Sequence, residues 1–191
     1  MRSPYYWIPK KYLWMVVIGL VIITIGVAYG LRLQGKPLST DKLPKGILAI
    51  ELPWSTERAS EVVASWEQEG LLGIAGKQVY YDFLFLVLYP FTLSILCASL
   101  AGSVPAKWTI PGMLVSWAVL FSGPLDAIEN IAILRMLGGS QKAPVPQIAS
   151  IAATFKFTLV FAAFGYLAAG GLRALIHLKA KRSGGPQLGL K

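Results

Sequence analysis

Four long apolar segments, separated by short polar ones, dominate the pattern of the chain. The first, 12–31, has 20 residues without a charge between Lys11 and Arg32. The others cover about 79–102, 108–137 and 147–176. About 20 helical residues span the hydrocarbon core of a bilayer, whereas a signal peptide has an apolar region of about 7–15 residues. The pattern therefore predicts an all-α fold, a bundle of four transmembrane helices, with kinks at Pro90 in the second and Pro124 in the third.

A short amphipathic helix is predicted over about 55–69, between spans one and two. Ser55 is its candidate N-cap, and Gly70 ends the run. Apolar residues recur between them with the i, i+3, i+4, i+7 spacing of one helix face: Ala59, Val62, Val63 and Trp66. We expect this face to lie on the lipid headgroups or across the mouth of the bundle. The preceding segment, 47–52, is predicted as either an extended segment or a shallow re-entrant stretch.

Composition agrees with a membrane protein. The chain has 191 residues, 55% of them hydrophobic and 14% charged, against about 25% charged in an ordinary soluble domain. The one cysteine, Cys97, and the one histidine, His177, exclude a disulfide framework, a Cys/His zinc site and a haem held by two histidines of one chain. The sequence contains no phosphate-binding loop and no nucleophile motif. It therefore predicts no cofactor and no catalytic residue, and it favours a non-enzymatic role.

The formal net charge of +9 is concentrated at the two ends of the chain. Residues 1–11 and 173–191 contain basic but no acidic residues, whereas the loop 32–77 holds six of each sign. Basic residues near the ends of the spans favour the cytoplasmic side. We therefore predict a multi-pass protein of the cell membrane, with both termini cytoplasmic, the loop helix extracytoplasmic and a disordered basic tail over 179–191. The positive charge is then explained by the lipid bilayer as partner, and we predict no nucleic acid.

Ionisable side chains inside the spans are the candidate functional site. Each such charge costs about 2.5–3.5 kcal/mol near the middle of a membrane helix unless it finds a partner. These residues fall at similar depths, within about 11 residues of the outer surface, and those of span three share a face through i, i+3, i+4 spacing. We predict one polar cluster in the outer half of the bilayer, built from Asp82, Tyr89, Asp126, Glu129, Asn130 and Lys156.

Two interpretations of this cluster remain open. In one, a Lys156–Glu129 pair bridged by Asn130 locks spans three and four together, as in an accessory or assembly subunit of a membrane complex. In the other, three acids against one lysine leave surplus negative charge that binds a cation, a proton or a polar ligand group. Oxygen ligands suit a hard cation or a proton relay better than a soft transition metal, and the identity of any metal stays open.

Two glycines of the first span are candidates for helix packing. Gly26 and Gly30 form a small-xxx-small motif, which lets a neighbouring helix approach closely. We expect this face to pack within the bundle, with a protein partner or a homo-oligomer as the alternative.

Several strings resemble a group of small bacterial four-helix membrane proteins that is uncharacterised. They are the string from Glu51-Leu52 to Trp66, Asp82-Phe83-Leu84-Phe85 with Tyr89 and Cys97, the Leu-Asp-x-x-Glu-Asn run over 125–130, and Lys156-Phe157. The resemblance covers roughly residues 47–170. It implies the same topology and the same polar residues, but no activity.

Overall fold

The structure, a computed structural model, describes the backbone of residues 2–183 and the side chains of residues 2–9 and 11–173. This part of the chain is all α-helical, as predicted, and contains no strand. Its helices are α1 (Lys10–Gly35), α2 (Leu48–Glu51), α3 (Thr56–Gln68), α4 (Leu72–Ala101), α5 (Ala106–Ala118), α6 (Ser122–Leu137) and α7 (Val145–Ser183). Four stretches are long and apolar enough to cross a membrane: Lys11–Leu38, Leu72–Ala101, Ala106–Leu137 and Val145–Arg173.

Three helices extend beyond their predicted spans, and the first of them, α1 (Lys10–Gly35), exceeds 12–31 at both ends. α4 begins at Leu72 rather than near residue 79, because Ala75 and Val79 are buried against the neighbouring core and hold this turn in the helix. α7 reaches Ser183 and so includes the first residues of the tail that was predicted to be disordered. Residues 184–191 of that tail lie outside the described residues.

The third membrane-length stretch is divided in two. A single 3₁₀ turn, Val119–Phe121, separates α5 from α6. Pro124 explains its position, because proline lacks the N–H that would bond to the carbonyl of Leu120 and its ring collides with that carbonyl. The candidate residues of this stretch all lie in α6, after the break.

Two apolar clusters fill the bundle, one at each end. The first joins α3 to α4, α6 and α7 through buried residues that include Trp66, Val79, Met136 and Ala149. The second lies towards the other end of α4 and α7 and includes Leu93, Cys97 and Ala163. Asp82, Asp126 and Lys156 fall between these clusters along α4, α6 and α7, so they form a polar layer between two apolar ones.

The chain between α1 and α4 folds onto the first cluster. Ser55 caps α3 as predicted, since its Oγ accepts a hydrogen bond from the Arg58 N–H at 3.1 Å. Trp66 is fully buried, and its Nε1–H donates to the Leu38 carbonyl at 3.2 Å. Of the two alternatives for 47–52, the extended one is wrong: this segment forms the single turn of α2, which contacts α6 and α7.

Candidate functional site

A lysine and two carboxylates make up the centre of the polar layer. Lys156 Nζ, on α7, lies 2.9 Å from Asp126 Oδ1 and 2.7 Å from Glu129 Oε2, both on α6. Asp126 and Glu129 are three residues apart and therefore share a helix face. All three side chains are buried: Asp126, Glu129 and Lys156 are 3%, 0% and 7% exposed. The predicted Lys156–Glu129 pair thus forms, with Asp126 as a second partner.

Asn130 has a different role from the predicted one. Its Nδ2 donates to Asp82 Oδ2 at 2.8 Å, so it links α6 to α4 instead of bridging the lysine pair. Asn130 directly follows Glu129, and adjacent residues are about 100° apart around a helix, so Asn130 reaches Asp82 on α4 while Glu129 contacts Lys156 on α7. The four predicted charged residues are therefore brought together by α4, α6 and α7.

A fourth carboxyl group, Glu51, joins the cluster, although the sequence placed it in the loop. The single turn of α2 brings it beside Glu129 and Lys156. Burial raises the pKa of the Glu51 carboxyl to about 7; the Lys156 ammonium opposes this rise, and Asp126 and Asp82 add to it. Its sequence context held a signal, because Glu51 alone among the loop acids has apolar neighbours throughout 47–52.

Acceptors outnumber donors in the assembled cluster. It contains four carboxyl groups, of Glu51, Asp82, Asp126 and Glu129, and one ammonium, of Lys156. Among the described residues, Glu51 Oε2 and Glu129 Oε1 are buried oxygens without a hydrogen-bond partner. Buried polar atoms normally have one, and a buried charge is costly unless it is paired. The cluster can therefore accept further hydrogen bonds and further positive charge.

Tyr89 lies about two turns after Asp82 along α4 and is also buried. Its hydroxyl donates to the Ser122 carbonyl at 3.2 Å, at the start of α6. Its ring packs against Phe85, with centroids 5.0 Å apart. Tyr89 therefore helps to hold α4 on α6, and its oxygen can still accept a hydrogen bond.

A cavity of about 490 Å³ opens beside the cluster. Its walls come from α1, α4 and α7, with α2 at one end. Four ionisable side chains line that end, and the rest of its wall is mostly apolar; the four are Glu51, Asp82, Asp126 and Lys156. A second cavity of about 200 Å³ shares Glu51 and Asp82 with the first and also contacts Gln78 and Asn130. Glu51 and Asp82 therefore stand where the two cavities meet.

The glycine face of α1 does not pack within the bundle, so that prediction is wrong. Gly26 and Gly30 are exposed, and a Cβ at either would meet no atom within 4 Å. The reason is that α1 packs against α4 through another face. This face includes Thr24, whose hydroxyl forms a hydrogen bond with the Thr92 hydroxyl at 2.7 Å between the two Oγ1 atoms. Only 6% of the apolar 18-residue segment of α1 is buried, against 50% of the corresponding segment of α4.

Neither a metal-binding arrangement nor a similar known protein identifies a ligand for this site. The described part of the chain has no group of three or more His, Cys, Asp or Glu side chains arranged to hold a metal ion. Comparisons with protein-family models, with curated proteins and with solved structures find no match for this chain. The resemblance to small bacterial four-helix proteins therefore stays a prediction.

Proposed function

We propose that this protein is a non-enzymatic, multi-pass protein of the cell membrane that binds positive charge at its Asp/Glu/Lys cluster. The bound species is a cation, a proton or the cationic group of a ligand. The observation that carries this proposal is the imbalance of four carboxyl groups around one ammonium. Uncompensated charge inside a membrane protein costs several kcal/mol, and a bound cationic group removes that cost.

The Glu51 and Asp82 side of the cluster is where the positive charge binds. Asp126 and Glu129 already share Lys156, whereas Glu51 Oε2 has no hydrogen-bond partner in the described part of the chain. Both cavities reach Glu51 and Asp82. A small cation can therefore approach these two carboxyl groups without disturbing the lysine pairs.

The distribution of charge supports an orientation with both termini in the cytoplasm. The two tails are basic without acids, while the loop that carries α2 and α3 has equal numbers of both signs. Basic residues near the ends of membrane helices stay on the cytoplasmic side. The cluster then belongs to the outer half of the bilayer, and α3 to the extracytoplasmic side.

Thermal unfolding tests this function with a small probe. The protein is reconstituted in nanodiscs of neutral lipid, and methylammonium chloride is compared with choline chloride at equal ionic strength, and with a pH series. We expect methylammonium to raise the melting temperature of the unaltered protein. Glu51→Gln and Asp82→Asn each reduce that rise, whereas Glu67→Gln, which removes an exposed acid on α3, leaves it unchanged.

Two results would contradict the proposal. One is that neither methylammonium nor protonation stabilises the unaltered protein more than choline does. The other is a stabilisation that is the same in Glu51→Gln, Asp82→Asn and Glu67→Gln. Either result would show that the cluster does not bind the added positive charge.

A second candidate function is that of an accessory or assembly subunit, in which the cluster only locks helix packing. The exposed glycine face of α1 favours it, because small residues on a membrane helix let a partner helix approach closely. Purification from native membranes with a stoichiometric partner, lost in Gly26→Leu but retained in Ile23→Leu, would support this function. A single species of one chain under the same conditions would contradict it.

A further inference from the structure

The larger cavity has the polarity of an amphiphile. One end carries four ionisable side chains, and the remaining wall is formed almost entirely by apolar side chains of α1, α4 and α7. These include Leu93, Leu96, Val160 and Phe164. Its volume of about 490 Å³ falls within the range of about 300–1,000 Å³ typical of small-molecule sites.

The apolar part of the cavity is long and runs along the helices. On α4 it extends from Asp82 to Leu96, which is about 21 Å at 1.5 Å per residue. On α7 it extends from Lys156 to Phe164, about 12 Å. This direction is parallel to the membrane-length helices, and therefore to the tails of surrounding lipids. A single apolar tail fits this trough in the orientation that it already has in a bilayer.

The cavity is open towards the side rather than only towards the helix ends. Ile25 on α1 and Phe164 on α7 line it, and they are 63% and 54% exposed. Leu48 on α2 also lines it and is 44% exposed. Exposed apolar side chains on both walls indicate that the opening faces the lipid of a bilayer. An amphiphile dissolved in the membrane can thus enter without crossing water.

Charge selects the headgroup. The cluster has four carboxyl groups against one ammonium, so a phosphate would meet repulsion there. The carboxyl oxygens Glu51 Oε2 and Glu129 Oε1 lack hydrogen-bond partners within the described residues. Glu51 lies at the junction of the two cavities, and Glu129 is completely buried. An ammonium with N–H donors offers both positive charge and charge-assisted hydrogen bonds, whereas a quaternary ammonium offers only charge.

From these observations we infer that the lateral cavity binds a single-tailed amphiphile with a primary or secondary ammonium head and no phosphate. The head lies at Glu51 and Asp82, and the tail lies in the trough between α1 and α7. This inference rests on the proposed function, because the headgroup is the positive charge that the cluster binds. It adds the chemical class of the ligand and its lateral route of entry.

Equilibrium binding of radiolabelled dodecylammonium tests the inference. The protein is in phosphatidylcholine nanodiscs, and binding to empty nanodiscs is subtracted. We expect one site per chain, with competition by unlabelled dodecylammonium, weaker competition by dodecyltrimethylammonium, and none by dodecanol or dodecylphosphocholine. Competition by dodecanol as strong as that by dodecylammonium would overturn the role of the charged end, and competition by dodecylphosphocholine would overturn the exclusion of phosphate.

A matched pair of variants on α1 tests the position of the tail. Ile25→Trp adds bulk inside the trough, whereas Ile23→Trp adds the same bulk on another face of α1, at a residue that is 54% exposed and does not line the cavity. We expect Ile25→Trp to weaken dodecylammonium binding about tenfold, the equivalent of about two methylene groups excluded from the trough. Ile23→Trp leaves it unchanged. Equal binding by both variants would overturn the position of the tail.

The outcomes separate this inference from the function on which it rests. Stabilisation by methylammonium that depends on Asp82, together with no saturable binding of dodecylammonium, contradicts the amphiphile and leaves the proposed function standing. Dodecylammonium binding and methylammonium stabilisation that are both unchanged in Glu51→Gln and Asp82→Asn contradict both. Binding that falls in these two variants and in Ile25→Trp, but not in Ile23→Trp or Glu67→Gln, supports both.

Discussion

The two halves of the polar layer differ in how their carboxyl groups are paired and in how much space lies beside them. In the α6–α7 half, Lys156 lies within 2.9 Å of a carboxylate oxygen of both Asp126 and Glu129, and all three are at least nine-tenths buried. In the α2–α4 half, Glu51 and Asp82 border two cavities and are only partly buried. In the first, closed half the carboxylates are paired with the lysine and buried. In the second, open half a carboxyl oxygen has no hydrogen-bond partner among the described residues, and cavities lie beside it. The difference matches the proposed function, in which one side of the cluster joins helices and the other side binds the positive charge.

Removing the lysine is the strongest test of the closed half. We expect Lys156→Met to lower the free energy of unfolding by about 3–5 kcal/mol, because two buried carboxylates lose their shared partner. Steric trapping of the unfolded state in neutral-lipid nanodiscs measures the change. Lys107→Met, which removes an exposed lysine, is the control. Equal stability of the two variants would show that the closed half does not hold the bundle.

The open half predicts a pH dependence through Glu51. Its pKa is raised to about 7, above the usual value of a glutamate, so the folded state holds this proton more tightly than the unfolded state. The contribution of this proton to the free energy of unfolding is complete below about pH 4 and is lost as the pH rises through 7. It amounts to up to about 3 kcal/mol.

The matching variants isolate this contribution from that of the other acids. The free energy of unfolding of the unaltered protein and of Glu67→Gln should fall between pH 4.5 and 7.5 more steeply than that of Glu51→Gln. The same curves measured with methylammonium should be flatter, because the probe favours the ionised carboxyl. Parallel curves for Glu51→Gln and the unaltered protein would contradict the place of Glu51 in the cluster.

Asn130 connects the two halves and should have an intermediate effect. Asn130→Leu removes the donor at 2.8 Å from Asp82 Oδ2, which we expect to cost about 1–3 kcal/mol of stability. A double-mutant cycle with Asp82→Leu measures the coupling, since the loss should shrink when both partners are apolar. Additive losses would show that the two halves do not communicate through this bond.

The smallest effect is expected on α1, which borders the open half. Gly26→Ala adds a Cβ that meets no atom within 4 Å, so the free energy of unfolding should rise by about 0.5 kcal/mol through the lower backbone entropy of alanine. Gly170→Ala is the contrast, because its Cβ would come within 2.8 Å of Leu100 Cδ2. A larger loss in Gly26→Ala than in Gly170→Ala would reveal a partner on the glycine face.

Much of this arrangement could be predicted from the sequence, because its signals are local and periodic. Long apolar segments predicted the four membrane-length helices, and the spacing of Asp126, Glu129 and Asn130 predicted their shared face of α6. Depth along antiparallel helices then placed Lys156 opposite them. The cap at Ser55 followed from the preference of serine for helix starts.

The parts that could not be predicted depend on how the loop and α1 pack. Glu51 was assigned to the loop, in a segment predicted as extended or re-entrant, since nothing in its spacing shows that a single helical turn would place it against α6 and α7. The glycine motif of α1 indicates close packing but does not say with what. The hydrogen bond from Asn130 to Asp82 depends on the rotation of α4 about its own axis, which charge counting does not provide.

The polar layer between the two apolar clusters also has an electrical consequence. With a bilayer around the four long helices, the carboxyl groups lie about 10–15 Å inside, and an elementary charge that crosses a full membrane gains about 2.3 kcal/mol per 100 mV. In the proposed orientation, a cation that entered from outside to this layer would cross up to about half of the field, worth roughly 1 kcal/mol per 100 mV. An interior that is electrically negative would then draw such a cation inward, so occupancy of the site would rise when the membrane is energised and fall when its potential collapses.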